Sequence, residues 1–447
     1  MNNILLSIIA FIITIAILVG IHEYGHYIVA RWFKVGVLKF SIGFGKVLYS
    51  FKHKKSGTIW AISAIPLGGY VKLADERNFV NEQEIIEASL LPKSKKYPQY
   101  SFNKIHPLKR IVIILAGPFI NFLAAVLFFA IVGMYGIKDI APIIEQPQVN
   151  SILHSAGLKN EAKIKSVSYA DNSYVIHGFN DIMWHLQMAF QHKNIININL
   201  INSYNKQNEN YIIDLRKINN SKELSSLVLP AFQDMEIIKV NQNSLASASG
   251  LKSGDKIILI DTQKANANIL SNKLKGSQKF KLNIIRNNQN LDIDIQPNGN
   301  LLGIQLQNSY KQIKINYGFF EAIKYGYDKT WQTLSLSIAA IIDMFFDKSG
   351  MDNLGGPVAI SSMAKSSLVA GFDTFLQFLA LISISLGVMN LIPLPVLDGG
   401  QALITFVEWI SNRKIPPKIA NLMHQIGIVF ILLLTFFALK NDITRLF

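Results

Sequence analysis

ILLSIIAFIITIAILVGIHEYGHYIVARW, residues 4–32, is the stretch that determines the fold. Residues 4–21 carry no charge, and a helix needs about 20 such apolar residues to cross a bilayer. A secretory signal peptide is the competing interpretation, but no Lys or Arg precedes the run and no small-residue cleavage site follows it. We therefore expect a retained membrane span that continues as a helix to Trp32.

Three further apolar runs predict membrane spans, at 111–137, 375–394 and 422–439. A fifth segment, 331–346, contains several polar residues and Asp343, so we expect it to lie along the membrane interface. The composition agrees with this count. Half of the 447 residues are hydrophobic and 16% are charged, whereas soluble proteins carry about 25% charged residues.

Basic residues between the first two spans set the expected orientation. Residues 31–110 contain fifteen Lys and Arg and five Asp and Glu, a balance of 15 − 5 = +10 within the +15 of the chain. Positive residues that flank spans mark the cytoplasmic side. No nucleic-acid-binding motif accompanies them, so the charge predicts the surface of a lipid bilayer and no nucleic-acid partner.

A polar region at 138–318 carries an internal repeat. SILHSAGLK at 151–159 matches SLASASGLK at 244–252, an offset of 93 residues. This pattern resembles the PDZ fold, whose groove binds an extended peptide by strand addition. The first copy lacks the Gly-Asp turn that the second has at 254–255, so an unrelated small β domain stays an alternative for that copy. We expect two PDZ-like domains in tandem, outside the cytoplasm.

His22 and His26 are four residues apart, so a helix places both imidazoles on one face, within reach of one ion. Glu23, beside the first imidazole, can accept a proton from a water molecule. The chain has no cysteine, which leaves His, Asp and Glu as metal ligands. The best candidate for a third ligand is Asp398, in NLIPLPVLDGG at 390–400. The alternatives are a structural histidine pair and an exposed aspartate in a simple turn.

Together these motifs resemble the site-2 protease family, and within it the regulator-of-sigma-E protease branch. The resemblance covers nearly the whole chain and includes GPFIN at 117–121. It implies intramembrane zinc proteolysis with Glu23 as the catalytic base. The implied ligands of Zn2+ are His22, His26 and Asp398.

Residues 35–72 predict short strands with glycine breaks, since Phe40, Ile42 and Phe44 alternate with smaller residues. In the family this stretch resembles a β-loop that dips into the membrane beside the metal, where its edge could pair with an unwound substrate. An ordinary cytoplasmic hairpin is the alternative. The residues that we expect to bind substrate are Gly43, Phe44, Gly68 and Gly69, and, from the resemblance, Asn390.

The metal decides the expected topology, because Asp398 must lie on the same side of the membrane as the histidines. The fold class is then a polytopic α-helical membrane protein with four transmembrane helices, a membrane-associated β-loop and two inserted PDZ-like β-rich domains. The expected segments are the first span with the metal motif (1–34), a cytoplasmic basic region with the β-loop (35–110), the second span (111–137), two PDZ-like domains (138–230 and 231–318), an outer-surface amphipathic segment (319–371), the third span with Leu-Asp-Gly-Gly (372–402) and the fourth span (403–447).

The resemblance also implies the partners and the compartment. Substrates would be single-span membrane proteins such as anti-sigma factors, with remnant signal peptides as a second class, in a bacterial inner membrane. The PDZ-like pair would either capture a peptide or act as a size filter, and the sequence leaves both open. Two other functions stay open: a membrane-anchored zinc endopeptidase that cuts non-membrane chains, and a PDZ scaffold with an inactive zinc site.

Overall fold

The computed structural model describes residues 2–74 except 55, 101–147, 151–297 except 219, 221–222, 225–226, 266 and 277, 301–346 and 355–446. Part of the predicted basic region, 75–100, lies outside these described residues. The chain divides into two compact units. One comprises Met1–Gly136 with Asn316–Phe447, and the other comprises Ile137–Ile315.

The helices of the described residues, in chain order, are α1 (Asn2–Trp32), α2 (Pro107–Tyr135), α3 (Ile152–Ser155), α4 (Phe179–Gln191), α5 (Leu245–Ala248), α6 (Ala267–Lys275), α7 (Phe319–Phe346), α8 (Pro357–Ala370), α9 (Phe372–Leu391), α10 (Asp398–Ser411) and α11 (Pro417–Leu446).

The strands are β1 (Val37–Lys52), β2 (Ile59–Leu73), β3 (Ile137–Ile140), β4 (Ile143–Ile144), β5 (Ala162–Tyr169), β6 (Asn172–Val175), β7 (Ile195–Asn202), β8 (Asn208–Asp214), β9 (Phe232–Val240), β10 (Lys256–Ile260), β11 (Gln263–Lys264), β12 (Phe280–Arg286), β13 (Gln289–Ile295), β14 (Ile304–Tyr310) and β15 (Gln312–Ile315).

Among the described residues of the first unit, four helices are long and apolar enough to cross a membrane. They are Ile4–Trp32, Pro107–Tyr135, Phe372–Leu391 and Lys418–Thr444. The prediction of four spans is confirmed as far as helix length and apolar composition show. Their outward faces are apolar, because the side chains that do not pack against another helix would contact lipid.

The third span is shorter than the sequence predicted. We expected one helix over 372–402, but α9 ends at Leu391 and a separate helix, α10, begins at Asp398. Pro393 and Pro395 lie between the two helices, and neither has an N–H to continue the helical hydrogen bonds. The break leaves the Leu-Asp-Gly-Gly motif, which we expected at the end of the span, at the N-terminus of α10.

Helix α7 packs along α2 and α9. Tyr325 contacts Phe129, with ring centroids 6.5 Å apart, and Leu334 and Ile341 join the apolar cluster between α2 and α9. In a helix Ile341 lies about 24 Å beyond Tyr325, so α7 follows α2 lengthwise. The position of this segment relative to a membrane, which we expected to be the outer surface, stays a prediction.

Strands β1 and β2 fold back on each other and form four paired segments. Phe40 pairs with both Val71 and Trp60, and Ser50 pairs with Ala61. The resulting order is 47–52, 59–63, 39–44 and 65–73. β1 bends at Gly43, whose φ of +92° favours glycine over other residues. The predicted strands with glycine breaks are confirmed, and position relative to a membrane stays a prediction.

The second unit contains two hydrophobic cores, one on each copy of the repeat. The first core includes residues from Ile144 to Val228, and the second includes residues from Phe232 to Leu302. The sheets have the orders β4-β5-β7-β8, with β6 on β5, and β13-β12-β10-β9-β14, with β11 on β10. Each copy contains, after its first strand, a four-residue helix, α3 or α5, that a serine caps. The repeat is thus structural, and its assignment to the PDZ fold stays a prediction.

Candidate metal and catalytic site

The side chains of His22, His26 and Asp398 meet in the helical unit. Asp398 Oδ2 lies 3.1 Å from His22 Nε2 and 3.5 Å from His26 Nε2, and the two Nε2 atoms are 3.3 Å apart. Four ligands in a tetrahedron, at the zinc bond length of about 2.0–2.1 Å, are separated by about 3.3–3.4 Å. The three donor atoms therefore have the spacing that one metal ion requires.

Asp398 carries a further sign of a missing charge partner. Its Oδ2 atom is buried and has no hydrogen-bond donor among the described residues. A metal ion binds the ionised form of a carboxyl group, so a cation at this point would provide the partner that Oδ2 lacks.

The Gly-Gly pair after Asp398 fixes the start of α10. A Cβ at Gly399 would overlap the carbonyl of Leu391, and a Cβ at Gly400 would overlap the carbonyl of Leu394. Only a residue without a side chain lets the first turn of α10 fold this closely onto the proline-containing loop. This close packing brings the carboxylate from α10 to the two imidazoles of α1.

Helix α2 forms the wall of the site through a Gly-Pro step. Gly117 lies against both imidazoles, since a Cβ there would overlap His26 Nε2 and come within 2.7 Å of His22 Nε2. Pro118 is buried in the middle of α2 and offers no N–H to the preceding turn. The backbone of α2 can therefore approach the imidazoles more closely than a side chain would allow.

Each imidazole is oriented by a contact at its other nitrogen. His26 Nδ1 is 2.9 Å from the carbonyl oxygen of Ile113, to which it donates. His22 Nδ1 is 3.1 Å from Nδ2 of Asn121, a fully buried residue. Asn121 Oδ1 has no partner among the described residues. Amide oxygen and nitrogen are assigned from such networks, and exchanging them lets Nδ1–H donate to Oδ1 and leaves the Nε2 lone pair for a metal.

Asn121 is in turn held by α9, because the hydroxyl of Ser383 donates to its backbone carbonyl at 2.8 Å. Both residues are fully buried. The sequence indicated Asn121 only as part of the GPFIN motif. A polar side chain inside an apolar span is costly, and that was the available signal for a role at the site.

Glu23 lies beside the three donors without joining them. It is 9% exposed, and the group whose donor atoms lie within 4.8 Å of one another contains only His22, His26 and Asp398. Gly69 of β2 covers it, since a Cβ there would lie 2.9 Å from Glu23 Cγ. The arrangement suits a proton acceptor next to a metal, and it brings the β1–β2 sheet to the site.

The other predicted substrate residues lie in two places. Gly43 forms the bend of β1, and the ring of Phe44, 42% exposed, lies where a Cβ of Gly68 would be. These residues and Gly69 belong to one end of the β1–β2 sheet. Asn390 lies in the last turn of α9, where its side-chain amide donates to the carbonyl of Leu386 at 3.0 Å. A role of these residues in substrate binding stays a prediction.

Two imidazoles, a carboxylate anion and an adjacent buried glutamate, held by helices that can cross a membrane, define a membrane-embedded hydrolase of the metallopeptidase type. Residues 10–434 match the description Peptidase family M50. The chain belongs to this family, and the membrane-embedded protein is a peptidase.

Individual relatives agree with the family assignment. The regulator of sigma E protease of Haemophilus influenzae is 32% identical over 453 residues, which cover 98% of both chains. Protease RseP of Yersinia pestis is 31% identical over the full length of both chains. A Pasteurella multocida relative, 33% identical over 98% of this chain and 99% of its own, has zinc metalloprotease in its name. The resemblance that the motifs indicated is confirmed.

The orientation inferred for Asn121 predicts opposite results for two substitutions. Asn121→Asp keeps an acceptor for His22 Nδ1–H, so the metal affinity of the purified full-length protein should be retained. Asn121→Leu removes the acceptor and should weaken metal binding by about 10- to 100-fold. Metal content after titration with a chelator measures the metal affinity of both variants. Ser383→Ala serves as a packing control. Equal weakening by Asp and Leu would show that the amide donates to His22 instead.

Proposed function

We propose that this peptidase is an intramembrane zinc metalloprotease that hydrolyses peptide bonds within the transmembrane segments of single-span membrane proteins. The observation that carries the proposal is the convergence of His22, His26 and Asp398 from two separate helices, with Glu23 beside them. Zinc, when bound, supplies a Lewis acid that polarises a substrate carbonyl and lowers the pKa of water.

The protein's own residues account for proton transfer and for access to the site. The Glu23 carboxylate accepts a proton from the attacking water and returns it to the leaving amide nitrogen. Its burial under Gly69 keeps bulk water from competing for that proton. The orienting contacts of the two imidazoles, with Ile113 and Asn121, hold both Nε2 atoms toward one point.

The β1–β2 sheet offers an edge for an unwound substrate. A peptide bond in a transmembrane helix is shielded by helical hydrogen bonds, so the helix must open before water can attack. Within the described residues no strand pairs with the outer edge of segment 65–73, and that segment contains Gly69. A substrate strand added there would lie next to Glu23. We assign Gly43, Phe44, Gly68 and Gly69 to this binding surface, and Asn390 to positioning of the substrate.

The proposed topology follows from charge. The basic segment 31–110 lies on the cytoplasmic side of a bacterial inner membrane, both termini and the second unit lie outside, and the active site lies near the cytoplasmic side. Helix α7 can enter the membrane along α2 without crossing it. The chain then has four spans, and these keep Asp398 on the same side of the membrane as His22 and His26.

Substrates of this class include anti-sigma factors and remnant signal peptides. The names of the relatives support the first, since they refer to regulation of sigma E. In the second unit β14 is an edge strand of its sheet, which favours peptide capture by the second PDZ-like copy. The alternative role for the two PDZ-like copies is to act as a size filter above the active site.

The two rival functions fit the site less well. A membrane-anchored endopeptidase for non-membrane chains would be expected to carry its third ligand close to the His-Glu-x-x-His helix, whereas Asp398 is 398 − 26 = 372 residues beyond His26 in the chain. An inactive scaffold would not need the spacing of 3.1–3.5 Å among the three donors or a buried glutamate beside them.

Replacing Glu23 by Gln tests the catalytic role. Gln has the same shape but cannot accept the proton, so cleavage of a tagged single-span substrate in detergent should fall by about 100- to 10,000-fold. Zinc content should match that of the wild type. Equal cleavage by both proteins would contradict the proposal, and cleavage of an unfolded soluble chain in preference to the single-span substrate would favour the membrane-anchored endopeptidase.

Gly68→Val tests the substrate edge, because the added side chain displaces Phe44 and shifts the strand that carries Gly69. Misplacing a bound substrate by about 1 Å can slow turnover about 100-fold, so we expect a loss of roughly ten- to a hundredfold in cleavage with unchanged zinc content. Leu48→Ala, in the first segment of the same sheet, is the control. Normal turnover of the Gly68 variant would count against strand addition at this edge.

A further inference from the structure

One stripe of helix α2 carries the contacts that orient both imidazoles. Ile113, Gly117 and Asn121 recur at intervals of four residues, so they lie on one face of the helix. The carbonyl of Ile113 accepts a hydrogen bond from His26, and the side chain of Asn121 contacts His22. Two of the three donors are therefore held in place relative to this stripe.

Arg110 continues the same stripe by one turn toward the start of α2, since it precedes Ile113 by three residues. Its Nη2 atom lies 3.6 Å from Oε2 of Glu408, a residue of α10. Only 12% of the Arg110 side chain and 15% of the Glu408 side chain are exposed. Salt screens such a partly buried pair much less than a surface pair. The pair thus joins α10, the helix that begins with the third donor, to the stripe that orients the other two.

Helix α10 runs antiparallel to α2. At its start, Asp398 meets the two imidazoles that α2 orients. Near its end, Glu408 lies against Arg110, and the ring of Trp409 contacts the ring of His106, with centroids 5.8 Å apart. Residues 398 and 408 are separated by about 15 Å along a helix. The end of α10 that lies far from the donors is therefore attached to the beginning of α2.

Neither charge of the pair is placed to stabilise its own helix. Arg110 is the fourth residue of α2, where a cation is unfavourable, and Glu408 is the fourth residue from the end of α10, where an anion is unfavourable. In the antiparallel arrangement each charge instead faces the favourable end of the other helix. The N–H of Ile415 also donates to Glu408 Oε1, at 3.1 Å, and fixes the carboxylate. The placement therefore favours a contact between the helices over stabilisation of either helix alone.

We propose that Arg110 and Glu408 are positioning residues for the metal site. By fixing where α10 lies along α2, the pair sets the position of the Asp398 carboxylate relative to His22 and His26. Bond lengths at a metal site vary by only about 0.2 Å, so a small slide of α10 would lower the affinity for the ion. The inference rests on the proposed zinc site and adds two residues outside the group of three donors.

A double-mutant cycle on the full-length protein in detergent tests the pair. The variants are Arg110→Gln, Glu408→Gln and the combination of both. Lys109→Gln, which removes a positive charge from the same turn of α2, is the control. Gln at position 408 keeps an oxygen that can accept the N–H of Ile415. Competition with a chelator measures the zinc affinity, and Co2+ loaded in place of zinc reports the ligand geometry through its visible absorption spectrum.

We expect the zinc affinity to fall about tenfold in each single variant and by about the same factor in the double variant, because all three lose the same contact. The Co2+ spectrum should change in these three proteins and stay that of the wild type in Lys109→Gln. A loss of about 100-fold in the double variant would show that the two residues act independently and would overturn the pair.

Three other results would also overturn the proposal. An equal loss in Lys109→Gln would reduce the effect to general charge. Wild-type zinc affinity in the whole cycle would remove the positioning role and leave the zinc site standing. A wild type that bound no zinc would overturn the zinc site and the positioning role together.

Thermal unfolding of the metal-free proteins separates positioning from stability. A lower melting temperature with unchanged zinc affinity and an unchanged Co2+ spectrum would assign the pair to stability alone and contradict the proposal. The double variant removes both charges of the pair together, which costs less than leaving one of them buried alone. If a single variant does not fold, the double variant decides: a loss of about tenfold in zinc affinity supports the proposal, and wild-type affinity overturns it.

Discussion

Two imidazoles and two carboxylates lie among apolar helices, with His22 and Glu23 buried and His26 and Asp398 partly buried, and this is the constraint on which the rest of the structure depends. Such groups are costly in a low-dielectric interior unless each finds a partner. Three of them, His22, His26 and Asp398, are placed so that one cation satisfies all three donor atoms. The fourth, Glu23, stays outside that group and is covered by β2, as the proposal of three ligands and a separate proton acceptor requires.

The backbone of the first unit is arranged to permit this burial. α2 gives up a side chain at Gly117 and an N–H at Pro118, so that its main chain reaches the imidazoles. The two prolines after α9 end that helix and start α10 at Asp398. Irregular backbone is tolerated at membrane depth where it lines a site. The same logic explains why the β1–β2 sheet lies against Glu23 through a glycine.

Much of this could be predicted from the sequence, because the signals are local. The apolar runs gave four spans, and the spacing of His22 and His26 predicted a shared face. Asp398 was predicted because a carboxylate between prolines and glycines is unusual. The end of α9 at Leu391 was not predicted, because apolar residues continue beyond it. The contact of Asn121, the doubling back of β1 and the path of α7 along α2 were also missed, because each depends on close approach between distant segments.

The central claim is that His22, His26 and Asp398 hold one zinc ion, and X-ray absorption at the zinc edge tests it most directly. For the zinc-loaded full-length protein we predict nitrogen and oxygen neighbours only, at about 2.0–2.1 Å, with the scattering pattern of two imidazoles. Asp398→Ala should lose zinc or change this pattern. A sulfur neighbour, or an unchanged spectrum after replacement of His22, His26 or Asp398, would contradict the account.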